Sequence, residues 1–537
     1  MKRLSTLLGA LLFSTTVNAE QPKGWQVEAL LPPSPFHGVH GITVRADGTL
    51  LVGSVVGDAI YKVDRETGAV STYRGAPGGM ADDLEEGPKG TPFAGMLGFT
   101  GFSTGRYFLD LPDGSTRKLA NGLPGMNSTA WNAEGRLFAT QVFLGDALYE
   151  LDPAGETPPR LIMKDMGGLN GFDFGPDGKL YGPLWFKGQI ARVDVDAATL
   201  EVVADGFAIP AAANFNTKGE LYVVDTVRGE VVRVDAKSGA RTVVAKVKPA
   251  IDNLAFAPDN TLYITNMADN AVIEVDVETG TSKTLVSGKL AVAGGIAIDG
   301  NTLYVADVFS ARQIDLASGT VSDIARAYAT EVENPISVDA RNGTLIVASW
   351  FSSVVQKLDP VSGKVIAAAH DIAAPMDVAI DPTGAVFVSE AGTGNILRLS
   401  SNLKTRQVIA SGLQLPTGLA IGPDGALYVG EYGTGKVLRL DPTGGAHSEF
   451  ATGLNGAEGF TFGPDGRLYV ADVPKQRIIA IGQDRSREVI ASGLPIGLPA
   501  AEGGLPQNIP TGLAFGPDGS LYVSADEDAT IYKITQR

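Results

Sequence analysis

One alternation of apolar and polar residues recurs twelve times along the chain, and each copy predicts four short β-strands. Clear copies read GFDFGPDGKLYG from residue 171, GLAIGPDGALYVG from 418, GFTFGPDGRLYVA from 459 and GLAFGPDGSLYVS from 512. A Gly-Pro-Asp-Gly type of turn joins the first two apolar runs, and an Asp-x-x-Ser/Thr-Gly turn joins the last two. Short runs separated by Gly, Asp and Pro are typical of hairpins and not of helices.

The spacing of the copies predicts rings of blades. Counted from the last residue of the first turn, successive copies lie 41 to 45 residues apart, except for a final step of 53. A period of about 40–45 residues made of short strands is typical of propeller blades. Because one propeller usually has about four to eight blades, we expect an all-β fold of two tandem six-bladed β-propellers, built from four-stranded antiparallel blades.

The two ends of the chain predict how the rings close. A strand at residues 25–31 precedes the first copy without a partner, and the chain stops after the third strand of the last copy. If each ring needs a closing strand, residues 25–31 pair near residues 271–275 of the sixth blade. Residues 281–286 then pair near residues 530–535 of the twelfth. This division gives a first propeller over 20–279 and a second over 280–537.

Residues 1–19 have the pattern of a cleaved signal peptide. Lys2 and Arg3 precede a largely apolar stretch at 4–17, and Val17-Asn18-Ala19 fits a small-residue cleavage site. We therefore expect a periplasmic or secreted protein. The net charge of −17 argues against nucleic acid or an anionic membrane surface as a partner. No later stretch predicts membrane insertion, and the absence of cysteine means that the fold needs no disulfide.

The strand nearest the axis of each ring carries the candidate chemistry. Eight residues before each turn anchor, with slips of one residue in the second ring, the sequence gives His40, Asp82, Asn127, Asn170, Ala211 and Asp252, then Gly294, Asn334, Met376, Thr417, Glu458 and Thr511. The oxygens of Asp82, Asn127, Asn170 and Asp252 suit a divalent cation, calcium first and magnesium as an alternative. The other interpretation is that these residues bond one another around a water-filled channel. We expect a cation in the first ring and none in the second.

The loops at the same face predict the rest of a small-molecule pocket. His40 is a candidate general base or metal ligand, and His37 lies in the same loop. Expected substrate contacts from the other blades are Gln141, Phe143, Trp185, Asp225 and Asn266. Packing between blades is the alternative role for the aromatic residues among them.

Three segments of the first half resemble the gluconolactonase / senescence-marker-protein family of six-bladed, metal-dependent lactonases. They read PGMNSTAWNAEGRLF, GGLNGFDFGPDGKLYGPLWF and AIDNLAFAPDNTLYITN. The resemblance implies that Asn127 and Asn170 match two Asn ligands of a catalytic calcium or zinc. The family's Glu and Asp ligands fall on His40 and Ala211, so this sequence departs from the pattern at both. Asp82 and Asp252 are the candidates to replace them.

A looser similarity connects the repeats to streptogramin lyase, a seven-bladed propeller enzyme that uses channel histidines and magnesium. The main resemblance implies an exported metal-dependent hydrolase of a lactone or related small ester, with Asp252 or His40 taking the proton. A propeller without catalysis, presenting its loops to a ligand or a protein, is the alternative from another class. A streptogramin-type lyase is the second alternative.

Overall fold

The computed structural model describes residues 22–76, 78–499 and 509–537. The predicted signal peptide at 1–19 lies outside the described residues. In the described part the chain forms β-strands and one 3-10 turn, Val473–Lys475, with no α-helix. None of its helical segments is therefore long and apolar enough to cross a membrane.

The strands form twelve four-stranded antiparallel sheets, as the repeat predicts. The N-terminal strand β1 (Trp25–Ala29) is followed by six blades that form the first ring: β2 (Ile42–Val44), β3 (Leu50–Ser54), β4 (Ala59–Val63), β5 (Val70–Arg74); β6 (Leu84–Glu86), β7 (Leu97–Gly101), β8 (Arg106–Asp110), β9 (Thr116–Ala120); β10 (Met126–Trp131), β11 (Leu137–Gln141), β12 (Ala147–Leu151), β13 (Arg160–Lys164); β14 (Asp173–Phe174), β15 (Leu180–Leu184), β16 (Gln189–Asp194), β17 (Thr199–Ala204); β18 (Pro210–Phe215), β19 (Leu221–Asp225), β20 (Glu230–Val234), β21 (Arg241–Lys246); β22 (Ile251–Phe256), β23 (Leu262–Asn266), β24 (Ala271–Val275), β25 (Ser282–Ser287).

The other blades form the second ring: β26 (Ile296–Asp299), β27 (Thr302–Ala306), β28 (Ser310–Asp315), β29 (Val321–Arg326); β30 (Ser337–Arg341), β31 (Thr344–Ser349), β32 (Val354–Leu358), β33 (Val365–Ala369); β34 (Pro375–Ile380), β35 (Val386–Glu390), β36 (Asn395–Leu399), β37 (Arg406–Ala410); β38 (Pro416–Ile421), β39 (Leu427–Glu431), β40 (Lys436–Leu440), β41 (His447–Ala451); β42 (Ala457–Phe462), β43 (Leu468–Asp472), β44 (Arg477–Ile481), β45 (Arg487–Ser492); β46 (Leu513–Phe515), β47 (Leu521–Ala525), β48 (Thr530–Gln536).

The recurring GPDG-x-LY motif builds the hairpin next to each channel. The last glycine has a positive φ, 74° at Gly178, which a residue with a side chain rarely adopts. The Asp177 carboxylate accepts the backbone N–H of Lys179 at 3.1 Å and the hydroxyl of Tyr181 at 2.9 Å. The same Asp–Tyr bond recurs in the eleventh blade. The motif therefore fixes the turn and orients a tyrosine that packs between neighbouring blades.

Two closed rings of six blades follow from the contacts of the innermost strands. Strand β2 contacts β22, so the first blade meets the sixth, and β26 contacts β46, so the seventh meets the twelfth. The apolar clusters lie between adjacent sheets; one joins Phe387 of the ninth blade to Leu427 and Leu438 of the tenth. The predicted fold of two six-bladed propellers is confirmed.

The predicted exchange of closing strands is wrong. Strand β25 pairs with β24 inside the sixth blade, so the first ring has four strands of its own in every blade. Strand β1 pairs with β48 and completes the twelfth blade, with Trp25 opposite Gln536. The predicted and the observed pairing satisfy the same number of backbone hydrogen-bonding groups, because the outermost strand of a blade has one unpaired edge in either case. The first ring thus lies between the first strand of the chain and the remainder of the second ring.

The two rings pack with parts of their loop-bearing faces against each other. Val56 and Met267 of the first ring share an apolar cluster with Phe309, Ile336 and Met376 of the second. Burying such side chains stabilises the contact by roughly 1.5–3 kcal/mol for each that is fully covered. The channel mouth of the first ring therefore faces residues of the second ring.

Candidate metal and substrate site

Three of the predicted channel residues converge on one point. One nitrogen of His40 and one carboxylate oxygen each of Asp82 and Asp252 lie within 4.8 Å of one another. His40 and Asp82 lie two residues before the innermost strands of the first and second blades, and Asp252 lies in that of the sixth. These blades are neighbours because the ring closes between blades one and six. Both Asp side chains are half-buried and His40 is buried. The group has the donor types of a divalent metal site.

The ring of His40 is oriented by its own loop. Its Nδ1 lies 3.0 Å from the carbonyl oxygen of Gly38, and because a carbonyl only accepts, Nδ1 carries the proton. Burial lowers the pKa of His40 to about 4, so the ring is neutral at pH 7. Nε2 is then the nitrogen with a free electron pair. A backbone carbonyl on one ring nitrogen is the usual support for a histidine that binds metal through the other.

The two carboxylates lack a compensating positive charge. Burial raises the pKa of Asp252. The pKa of Asp82 is also raised, chiefly by burial and in addition by repulsion from the charges of Asp252 and Asp83. No cationic side chain of the described residues acts on either group. Two buried acids that repel each other cost free energy unless a proton or a cation neutralises them.

Other channel acids have a different role, which makes this pair distinct. Asp83 accepts the backbone N–H of Thr129 at 3.0 Å, and Asp173 accepts that of Phe215 at 3.0 Å. Each bond joins one blade to the innermost strand of the next, whose N–H groups otherwise face the channel. No described backbone N–H donates to Asp82 or Asp252 in this way. Their carboxylates are therefore available to a ligand.

Asn127 and Asn170 lie beside the cluster and support it. Asn127 donates a hydrogen bond from Nδ2 to Asp82. The hydroxyl of Ser128 lies 2.7 Å from the Oδ1 of Asn127 and 2.8 Å from that of Asn170. Gly171 also donates its N–H to Asn170 at 3.0 Å. The amide oxygens of Asn127 and Asn170 thus already accept hydrogen bonds from protein donors. His40 is a third potential ligand beside Asp82 and Asp252.

Three of the expected substrate contacts are occupied by structural bonds. The buried carboxylate of Asp225 accepts the N–H of Ala208 at 2.7 Å. The amide of Asn266 makes four bonds, to Lys248, Pro249, Asp269 and Arg326. The Gln141 amide bonds Pro124 and Tyr149. The same position has the same task in the second ring, where Asp472 accepts the N–H of Asn455 at 2.7 Å. These side chains hold neighbouring loops together through their hydrogen bonds, and Asn266 also binds Arg326 of the second ring; their contact with substrate stays a prediction.

His37 connects the two rings. Its Nδ1 lies 2.7 Å from the hydroxyl of Tyr61, and its Nε2 lies 2.5 Å from the carbonyl oxygen of Glu527 in the twelfth blade. Burial lowers the pKa of His37. Both ring nitrogens are thus bonded within the protein, and the expected contact of His37 with substrate stays a prediction.

An aromatic wall extends outward from the mouth of the first ring. The ring of Phe143 lies 5.3 Å from that of Trp185 and 5.7 Å from that of Phe186. Trp185 is buried, whereas Phe143 and Phe186 are 46% and 59% exposed. Large aromatic surfaces left open beside a polar cluster are typical of ligand sites. Phe143 and Trp185 both belong to this wall, and their contact with substrate stays a prediction.

Two residues of the second ring also border the site, and sequence reasoning missed both. The ring of Phe309 lies 5.4 Å from that of His40. The ring of Tyr328 lies 6.0 Å from that of Trp185, and its pKa is raised by burial and by the charges of Asp252 and Asp82. Neither residue occupies a channel position of its own ring. Only the docking of the rings brings them here.

Comparisons with known proteins add no family. No protein-family profile matches the chain, and no curated protein matches it. Among solved structures, virginiamycin B lyase from Staphylococcus aureus is 13% identical, with 69% of this chain and 96% of that one covered and a TM-score of 0.24. Regucalcin from Agrobacterium tumefaciens, a calcium-binding protein, is 17% identical over 46% and 92%, with a TM-score of 0.34. Likenesses this weak carry no conclusion about activity.

Proposed function

We propose that the first ring is a metal-dependent hydrolase of a lactone or a related small ester. The observation that supports this most is the donor set of His40, Asp82 and Asp252, whose ligand atoms lie within 4.8 Å of one another. A divalent cation fits these residues because it would neutralise two uncompensated carboxylates and take the free electron pair of His40 Nε2.

The donor set changes the expected metal. One imidazole nitrogen with two carboxylates suits Zn²⁺ or Mn²⁺ better than Ca²⁺, which takes six to eight oxygen ligands. Asn127 would hold the Asp82 carboxylate in place through its hydrogen bond. We therefore propose Zn²⁺ or Mn²⁺ in place of calcium, with His40 as a ligand.

The residues around the cation position suggest a division of roles. A bound divalent ion would act there as a Lewis acid on a substrate carbonyl. Asp252, to which no described group donates a hydrogen bond, would accept the proton of the attacking water. The Gly38 carbonyl keeps His40 in the tautomer that leaves Nε2 unprotonated. The wall of Phe143 and Trp185 would cover the apolar part of the substrate and exclude water.

Two variants test these roles: His40 is proposed as a ligand only, whereas Asp252 is proposed as a ligand and also as the proton acceptor. We expect His40→Gln to weaken Mn²⁺ binding at least about 10-fold in isothermal titration, because one ligand is lost. We expect Asp252→Asn to lower kcat on γ-butyrolactone by about 10²–10⁴-fold. His447, an exposed histidine of β41, gives the control variant His447→Asn, which should change neither quantity.

The outcome decides between the classes of function. Metal binding with hydrolysis of lactones or esters supports the proposal. If the wild-type protein binds metal but hydrolyses no member of a lactone and ester panel, the proposal of a hydrolase fails. Binding of a small molecule or a protein without turnover would then favour a propeller without catalysis.

The proposed place of action is the periplasm or the exterior of the cell. The support is the pattern of residues 1–19, with two basic residues, an apolar stretch and a small-residue site before Glu20. N-terminal sequencing of the protein from the periplasmic fraction tests it. A first residue of Glu20 is expected, and an intact Met1 in the cytoplasmic fraction would contradict it.

A further inference from the structure

A segment of the second ring is anchored directly on the first. The connection after strand β29 begins at Arg326, whose guanidinium donates to the carboxylate of Asp269 at 2.7 Å and to the carbonyl of Pro249 at 3.0 Å. Pro249 lies in the connection that leads into β22, the strand that carries Asp252, and Asp269 lies in the loop between β23 and β24 of the same blade. Arg326 is buried, and charge-assisted bonds of this kind are among the stronger ones in proteins. The segment that follows is therefore held over the mouth of the first ring.

Tyr328 lies two residues beyond this anchor and has an unusual backbone conformation. Its φ is 65°, a left-handed value that is an outlier for a bulky side chain. Its ring packs against a cluster that contains Trp185, Ala211 at the channel position of the fifth blade, and Ile251, the neighbour of Asp252. A strained backbone of this type persists where the surroundings fix it and is common at ligand sites.

The wall described above continues from Tyr328 to the surface. Trp185 contacts Tyr328 on one side and Phe143 on the other, and Phe186 follows at the exposed end. The carboxylates of Asp82 and Asp252 lie close enough to Tyr328, at the inner end of this row, for their charges to act on its hydroxyl. The row thus places an apolar surface beside a polar centre, with residues of both rings contributing.

We propose that the second ring completes the active site: Tyr328 binds the substrate's carbonyl-side oxygen through its hydroxyl, and Tyr328, Trp185, Phe143 and Phe186 form a subsite for an aryl group on the substrate. This inference rests on the proposed function, and it assigns the class of substrate, a small lactone or ester with an aromatic substituent. A bare aliphatic lactone would leave the wall exposed to water. Covering it with a phenyl group favours binding, since burial of a group of that size contributes about 1.5–3 kcal/mol.

The test uses lactams, which the protein is not expected to hydrolyse, so that binding is measured apart from activity. Isothermal titration compares 4-phenyl-2-pyrrolidinone with 2-pyrrolidinone on the full chain, with and without Mn²⁺. We expect the phenyl lactam to bind at least about 10-fold more tightly. Phe186→Ala should reduce this preference at least about threefold. Tyr328→Phe, which keeps the ring, should weaken both lactams by a similar factor of about 10.

Matched controls lie on outer strands far from the cleft. Tyr73→Phe removes the hydroxyl of an exposed tyrosine on β5, and Leu161→Ala removes an exposed apolar side chain of β13; neither should change lactam binding. Equal affinity for the two lactams, no binding of either, or wild-type affinities in Tyr328→Phe would overturn the inference. Mn²⁺ titration of the same variants keeps the two proposals apart. If the wild-type protein does not bind Mn²⁺, the proposed metal site is contradicted. If it binds Mn²⁺ but shows equal affinity for the two lactams, only the aryl subsite is contradicted.

Discussion

The strand that closes the second ring gives a direct test of the topology through Trp25→Ala. Trp25 on β1 is 7% exposed and packs in a cluster with residues of the eleventh and twelfth blades. Its Nε1 donates to Glu488 at 3.1 Å. Replacing a buried tryptophan by alanine typically costs about 3–5 kcal/mol. If that cost falls on the opening of β1, amide exchange in its blade should become at least about 100-fold faster.

Hydrogen exchange followed by mass spectrometry locates the effect. We expect faster exchange in peptides of β46, β47 and β48 and unchanged exchange in β22, β23 and β24. Val202→Ala on β17 is the matched control, since Val202 also lies on an outer strand but is 44% exposed; it should change exchange very little. Faster exchange in the sixth blade and none in the twelfth would refute the pairing of β1 with β48.

Three further predictions follow from buried polar groups. Asp225→Ala should lower the free energy of unfolding by about 1–3 kcal/mol, because it leaves loop N–H groups unsatisfied, while calorimetry with Mn²⁺ shows unchanged metal binding. Burial raises the pKa of Glu458 from 4.5 to about 8, so the folded state holds a proton that the unfolded state releases, and stability should fall as pH rises through that range. Glu458→Gln, which keeps an acceptor for the N–H of Thr511, should flatten this slope in urea unfolding at pH 5 and pH 8; an unchanged slope would contradict the assignment. Arg326→Ala strips Asp269 of its buried partner and should cost about 3–5 kcal/mol, detected as earlier thermal unfolding; an unchanged transition would contradict the role of this anchor.

The blades could be predicted from the sequence because local chemistry defines them. Each Gly-Pro-Asp-Gly turn, with its tyrosine three residues later, specifies a hairpin without reference to the remainder of the chain. The convergence of His40, Asp82 and Asp252 was also predictable, since equal places in equal repeats meet at one axis. The closing strand was not, because β1 can satisfy the edge of either ring. Choosing between them depends on contacts such as that of Trp25 with Glu488.

The repeat pattern does not predict the role of every residue at the site. Asp225 and Asn266 were expected to contact substrate because they end their strands on the active face. In the structure that position supplies a carboxylate or amide that holds two loops of one blade together. Tyr328 is the opposite case, a residue at the site that the repeat pattern does not predict. Nothing in the repeat marks it, and it borders the site because the two rings pack together, with Arg326 of the second ring bonded to Asp269 of the first.

The most direct test of the account is the metal content of the purified protein. Elemental analysis after dialysis against trace Zn²⁺ and Mn²⁺ should find about one equivalent of divalent metal per chain, because the described residues hold one suitable cluster. The double variant Asp82→Asn with Asp252→Asn should lose it, and Asp205→Asn, a change at an exposed aspartate, should keep it. Metal that remains in the double variant, or a wild-type protein that takes up none, would contradict the proposal that the first ring holds a metal centre.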